Sequence, residues 1–478
     1  MTSLSLLADE VGLELHGHDL LVTGVAQSSD LVKPGYLFAA LSGAKHHGLD
    51  FANQAIQQGA LALLVDKSDL ERALEFGLPV LVADHALSIL GKVCSQVYDL
   101  SGLKLFAVTG TNGKTSTVTY LAWLINKLGT SCGFSASTMR RVGQEHLSSS
   151  LTTPQVAEMY DLLSQMKQAG NKSVVVEVSA QALIRHRIDG LRFAVAGFTN
   201  LSRDHLDDFE SMAHYLAAKK LLFTEHADFS VINIEDSFGA SLRKDLSDAI
   251  GIGSDRGEWH YTISRGVPAE LEISIRGHSI SCLVPAGAIM AKNLALAIAM
   301  AEAAGFQIDA IQEAIKSVDV EVPGRLQRVS NHAPAVYVDY AHTPAGVEAA
   351  AGELRDHYKE LVVVLGASGN RDQGKRAAMA HAACVADLLI ITDQHPRDED
   401  PAEIRKTLVT AALSKLPANQ VEEIANPQAA IERAIGAVSK EGAVLWCGPG
   451  HLTYREVAGK KVAFNAVEIA RSLVEAQK

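Results

Sequence analysis

The strongest chemical signal lies at residues 108–117, VTGTNGKTST. An apolar strand-like run enters Gly110, Thr111, Asn112 and Gly113, and a helix-like run begins at Lys114, Thr115 and Ser116. Two glycines permit positive φ and close backbone approach. Backbone N–H groups at a helix start then favour a phosphate. A lysine directly after the turn reaches the outer phosphates, and the Thr115 hydroxyl is suited to Mg²⁺. Val108 stands where the longer phosphate-loop pattern has its first glycine, so this is a short form. The alternative is a tight strand–helix turn with no nucleotide.

Two further clusters sit at the ends of apolar runs. VVVEVS places Glu177 at a strand end, where an acid is costly unless it meets a cation such as Mg²⁺. FTNLSRDHLDDF puts Asp204 and His205 just beyond the next run. Asp204 also reads as the cap of a following helix. In YLAAKKLLF, spacing alone makes Lys219 and Lys220 a solvated pair on an amphipathic helix. Near the C-terminus, ITDQHPRDEDP gathers Gln394, His395, Pro396 and Arg397 after a strand-like run.

These groups need rigid elements to hold them. SVVVEVS, FAVAGFTNLS and FSVINIEDS read as buried strands, and so do AVYVDYA, LVVVLGASG, DLLIITDQ and AVLWCGPG. Helix-like stretches separate them, and residues 291–315 read as one Ala-rich helix. Strands alternating with helices imply an α/β fold with parallel sheets. Ligands of such sheets bind beyond the carboxyl ends of the strands. Polar breaks at DLSGLK and VEVPGRLQRV suggest three domains, 1–98, 99–322 and 323–478.

The chain has 478 residues, 47% of them hydrophobic, and carries a formal charge of −12. That balance argues against nucleic-acid binding and against a membrane-surface role. The five cysteines are scattered, which indicates neither zinc nor a disulfide framework. The N-terminus has no signal-peptide pattern and no run is long enough to span a bilayer, so a cytoplasmic protein is expected.

The blocks GTNGKTST, LTTP, VVVEVS, HRIDGLRF, FTNLSRDHLD, AAKKLLF, VPGRLQRV, VDYAHTP and GNRDQGKR together resemble the Mur ligases. Within them, the resemblance points to the UDP-N-acetylmuramoyl-tripeptide synthetases. It implies an N-terminal UDP-sugar domain, a central P-loop ATPase domain and a C-terminal Rossmann-like domain for an incoming amino acid. It also implies an ATP- and Mg²⁺-dependent ligase that activates a D-Glu carboxylate as an acyl phosphate. The partners implied are UDP-N-acetylmuramoyl-L-Ala-D-Glu and a free amino acid, with a monomer expected.

Carried across, Lys114 and Thr115 serve nucleotide and metal, and Glu177 and His205 match metal ligands. Lys219 matches a lysine that the family carries as a carbamate, which reverses the solvated reading. Asn293, Arg325, Asp339 and His342 match nucleotide contacts. Ser29, Thr152, Thr153, Ser179, Arg185 and Arg187 match positions around the UDP-muramoyl dipeptide. Arg371, Gln394, His395, Arg397, Gly448 and Leu452 match the amino-acid site.

This sequence departs from the family in four places. The family's Asp-Ser-Arg is Ser28-Ser29-Asp30, which lacks the cation, and its Ser-His after EVS is Ala180-Gln181. Asp-Asn-Pro-Arg becomes Gln394-His395-Pro396-Arg397, and the last residue of Gly-Lys-Gly-His-Glu becomes Leu452. Losing an acid opposite a buried ammonium costs a few kcal/mol, roughly. The third amino acid is therefore expected to be atypical, a shorter diamine or homoserine, unless neighbours compensate and it stays meso-diaminopimelate or L-lysine. Two other readings are a folylpolyglutamate-synthetase-like ligase and a divergent scaffold without catalysis.

Overall fold

The computed structural model describes residues 1–43, 46–149, 151–254, 257–330 and 332–476. Its largest sheet has eleven strands. In spatial order they are Glu145–Leu147, Arg140–Val142, Cys132–Ser135, Ser173–Glu177, Lys104–Thr109, Phe193–Phe198, Ala227–Asn233, Ile250–Gly253, Trp259–Ile263, Ala269–Ile275 and His278–Val284.

Ser173–Glu177 is parallel to both of its neighbours. Its five residues are all buried, as expected for a strand covered on both faces. Both ends of the sheet turn antiparallel. Ala269–Ile275 shows strict in–out alternation, the mark of a sheet wet on one face. Sequence reading foresaw the parallel centre. It missed these edge strands, because their alternating polar residues hide among charges.

Two compact units emerge. One comprises residues 1–109, 129–196 and 218–229, and the other 110–128, 197–217 and 230–478. The first unit holds a five-stranded sheet ordered Glu14–His16, Val80–Ala83, Ala60–Asp66, Tyr36–Ala39 and Gly24–Ala26. All its pairings are parallel except that of Glu14–His16.

The second unit holds a six-stranded sheet ordered Gln327–Arg328, Ala335–Asp339, Ala443–Cys447, Leu361–Leu365, Leu388–Ile391 and Val421–Glu423. Only its first pairing is antiparallel. Apolar cores lie on both faces. One includes Leu354, Met379 and Leu408 from helices on one side; the other includes Ile431 and Ala470 from the opposite side. The chain passes from Ala335–Asp339 to Leu361–Leu365 and outward to Val421–Glu423, and only then returns to place Ala443–Cys447 in the gap it had left.

The expected single helix over 291–315 is two, Ala288–Ala303 and Ile308–Ala314. Gly305, at φ +93°, ends the first. Ala288–Ala303 is apolar all round and packs against the Lys114–Lys127 helix. The five cysteines are free thiols; Cys94, Cys132, Cys282 and Cys447 are buried and Cys384 is half-buried. Among the described residues no helix is long and apolar enough to cross a membrane.

Candidate active site

In the second unit the phosphate loop is held on one side by the segment after Phe193–Phe198. Thr111 N–H donates to Asn200 O at 2.8 Å, and Asn112 N–H to Asn200 Oδ1 at 3.0 Å. The Thr199 hydroxyl and the Asn200 amide both donate to Asn112 O, at 2.6 and 3.0 Å. Ser202 N–H donates to Thr111 Oγ1 at 3.1 Å. The loop is therefore held by both backbone and side-chain groups of the 199–202 segment.

Its glycines are obligatory. Gly113 sits at φ +82°, where an added Cβ would lie 2.3 Å from Asn293 Oδ1. At Gly110 a Cβ would lie 1.9 Å from Thr199 Oγ1. Asn293 thus packs against the loop at Gly113. Thr115 and Ser116 are buried in the first helical turn, and Lys114 Nζ donates to Thr111 O at 2.8 Å.

The loop at 322–326 brings Arg325 to the same place. Its Nη2 donates to Thr115 Oγ1 at 3.3 Å, and its guanidinium lies 4.6 Å from the Tyr340 ring centre. Arg325 Nη1 and His451 Nδ1 are 3.5 Å apart. Asp339, fully buried at its strand end, accepts from Leu326 N–H and Ala341 N–H, both at 2.6 Å. Burial nevertheless raises its carboxyl above the ordinary range.

Asp204 is a charge hub. Only 4% exposed, it meets Lys375 Nζ at 2.9 Å, His205 Nε2 at 3.4 Å and His342 Nε2 at 3.6 Å. Burial pushes its carboxyl up, but His342, His205 and Lys375 outweigh that and hold it well below the usual range. It caps no helix, because the next begins at Met212. His205 takes φ +54°, a strained conformation of the kind concentrated at functional sites. On either side of Asp204, Arg203 pairs with Asp372 at 3.2 Å and Asp207 with Arg371 at 3.7 Å. Sequence reading missed Lys375; the Lys in GNRDQGKR was the available signal.

Of the residues matched to the amino-acid site, Gln394, His395 and Leu452 line one small pocket with Trp446, Arg455 and Phe464 among others, whereas Arg371, Arg397 and Gly448 are not part of its lining. Gln394 is 7% exposed, and its Oε1 is buried without a partner. Burial pulls His395 down to about 4, so it is neutral; its Nδ1 accepts from Glu456 N–H at 3.1 Å. Gly448 lies so near Gln394 that a Cβ would come within 2.4 Å of its amide. Arg397 is at φ +54° and is paired with Glu456 at 2.9 Å. Arg371 and Arg397 thus both carry a carboxylate partner of the protein's own.

In the first unit, Glu177 is 2% exposed at its strand end. It accepts from Ser137 N–H at 2.9 Å and from the Ser137 hydroxyl at 3.1 Å. Thr152 Oγ1 is 2.9 Å from that hydroxyl. Thr153 Oγ1 donates to Glu177 O and accepts from Ser179 N–H, and Thr153 O accepts from Arg187 Nη1 at 3.1 Å. Arg185 is exposed and Arg187 buried. Ser29 donates to Gln54 at 2.9 Å. Lys219 is 1% exposed, so the solvated reading from spacing is wrong: the helix turns this lysine inward. Among the described residues no three His, Cys, Asp or Glu side chains cluster as a metal site.

Family models match three stretches: the Mur ligase family catalytic domain at 21–93, the Mur ligase middle domain at 108–301 and the Mur ligase glutamate ligase domain at 324–450. The chain belongs to the Mur ligase family. A UDP-N-acetylmuramyl-tripeptide synthetase of Leifsonia xyli subsp. xyli is 37% identical over 96% of this chain and 93% of its own length. A UDP-N-acetylmuramoyl-L-alanyl-D-glutamate–2,6-diaminopimelate ligase of Streptomyces coelicolor is 34% identical, over 99% and 96%. A solved structure of a ligase with that same printed activity aligns at a TM-score of 0.65 with 26% identity, covering 95% of both chains. This Mur ligase is an ATP-dependent peptide ligase of the tripeptide-synthetase type.

Proposed function

We propose that this Mur ligase adds the third amino acid of the peptidoglycan stem to UDP-N-acetylmuramoyl-L-alanyl-D-glutamate, through an acyl phosphate. The names of its relatives motivate the substrate. The observation that carries the reading is the phosphate loop held by the 199–202 segment, with Arg325 against Thr115. ATP phosphate oxygens sit on the N–H groups at the start of the Lys114–Lys127 helix, on Lys114 and on Arg325, where positioning and fixed charge supply most of the catalysis; the Thr111 and Asn112 N–H groups are engaged by Asn200. Asp339 and His342 complete the nucleotide site, with Asn293 fixing the loop. The amine then attacks the acyl phosphate, and the tetrahedral intermediate collapses to amide and phosphate.

Thr115 and His205 in the second unit, and Glu177 in the first, each carry a donor of a kind that would hold Mg²⁺. When bound it neutralises charge on the phosphoryl oxygens. A neutral lysine amine adds CO₂ and loses one proton to give a carbamate, which would place a negative charge on the buried Lys219. Ser29, Thr152, Thr153, Ser179, Arg185 and Arg187 hold the UDP-substrate. The working domain division remains 1–98, 99–322 and 323–478.

The incoming amino acid binds at Arg371, Gln394, His395, Arg397, Gly448 and Leu452. Leu452 and an uncharged Gln394 and His395 disfavour a distal ammonium, which supports a shorter diamine or homoserine over meso-diaminopimelate or L-lysine. The test is phosphate release with ATP, Mg²⁺, the UDP-dipeptide and a panel of amino acids. Highest kcat/KM for meso-diaminopimelate would sink the altered specificity. Lys114→Ala abolishes turnover in a ligase; unchanged turnover would sink the mechanism.

A further inference from the structure

The first unit carries a buried arginine that the sequence motifs did not single out. Arg140, on the short Arg140–Val142 strand, is 8% exposed. Its Nη1 donates to Glu158 Oε1 at 2.7 Å. Its other edge, Nε and Nη2, is buried without a partner. That edge is the two-donor fork that matches a carboxylate or phosphate.

Other unused donors accompany it. Thr138 Oγ1, two residues earlier, and Arg187 Nε are also buried without partners. Arg187 is a neighbour: Glu158, which grips Arg140, also acts on the Arg187 charge, and so does Arg185. Two arginines, Arg140 and Arg187, therefore share Glu158, and the Arg185 charge bears on Arg187. Unmatched donors at this density are rare in folded proteins, and each carries a desolvation penalty. An anionic ligand offsets all of them together.

We propose that Arg140, oriented by Glu158, binds an anionic group of the UDP-muramoyl dipeptide. Glu158 occupies one side of the guanidinium and leaves the fork for the substrate's carboxylate or diphosphate. The fork lies beneath the surface, so seating the anion requires the turn at 137–140 to shift. This inference rests on the UDP-dipeptide being the substrate.

The experiment is steady-state kinetics of the full chain with Arg140→Ala, Arg140→Lys and Glu158→Gln, each substrate varied in turn, with thermal melting alongside. Losing a charge-assisted pair raises KM for the UDP-dipeptide about tenfold or more in Arg140→Ala. KM for ATP and for the amino acid stays within about twofold. Arg140→Lys keeps charge and bulk but not the fork, and shows the same selective rise; it decides the matter if the alanine variant does not fold. UDP as a competitive inhibitor locates the contact. Equal weakening of UDP assigns the diphosphate, and unchanged UDP inhibition assigns a carboxylate. An unchanged KM for the UDP-dipeptide in both Arg140 variants, or an equal loss toward all three substrates, overturns the proposal. If the wild-type protein shows no saturable use of the UDP-dipeptide, the substrate reading has failed instead.

Discussion

Asp204→Asn removes the carboxylate from the charge hub and leaves the Lys375 ammonium in place. The side chains of Asp204 and Lys375 are 6% and 11% exposed. Water therefore does little to compensate. Deleting one partner of a buried ion pair costs about 3–5 kcal/mol, because the other charge is stranded. Two histidines remain beside the vacated site, and neither supplies the missing negative charge. For a unit of this size about 3 kcal/mol lowers Tm by roughly 6–12 °C. Lys375→Met alone is also destabilising, since it strands the aspartate. The double variant Asp204→Asn/Lys375→Met recovers about 2 kcal/mol relative to the sum of the singles. Urea unfolding of the four proteins, followed by calorimetry, measures both quantities. A single variant within about 0.5 kcal/mol of wild type, or strict additivity, refutes the hub as a source of stability.

Three further outcomes follow from the same geometry. His395 is neutral in the fold and protonates only near about 4, whereas an unfolded histidine protonates near about 6.5. Its contribution is complete above about pH 6.5 and is lost as pH falls toward about 4, at about 1.4 kcal/mol per unit. His395→Gln flattens that part of the stability–pH curve, and an unchanged slope contradicts the assignment. Gly113→Ala combines φ +82° with a 2.3 Å contact to Asn293, so KM for ATP rises about tenfold or more, read by coupled ADP release. Leu452→Glu shifts kcat/KM toward amino acids with a distal ammonium by about tenfold in direct competition; no shift would remove Leu452 from the specificity argument.

Much of the fold was legible because buried parallel strands are continuous apolar runs, as at Ser173–Glu177 and Leu361–Leu365. The phosphate loop was legible because its glycines are forced by close contacts with Thr199 and Asn293. Other features had no local signature. Ala269–Ile275 shares its faces between core and solvent, so charge masks the strand. Lys219 looked solvated because YLAAKKLLF read as an amphipathic helix, whereas Met212–Glu225 has no apolar stripe opposite a polar one. The Asp204–Lys375 pair joins residues 171 positions apart, and no local pattern reports such a meeting. Arg140 belongs to none of the motifs, and only the fold shows that it is buried.

The segments at 203–207 and 371–375 meet through pairs of alternating sign: Arg203 with Asp372, Asp204 with Lys375, and Asp207 with Arg371. Neither segment is interchangeable alone. A chimera that grafts one of them from a homologue with a different order of signs brings like charges face to face beside the phosphate loop. Exchange of amino-acid specificity between such enzymes therefore succeeds when both segments travel as a single cassette, although more than 160 residues of chain separate them.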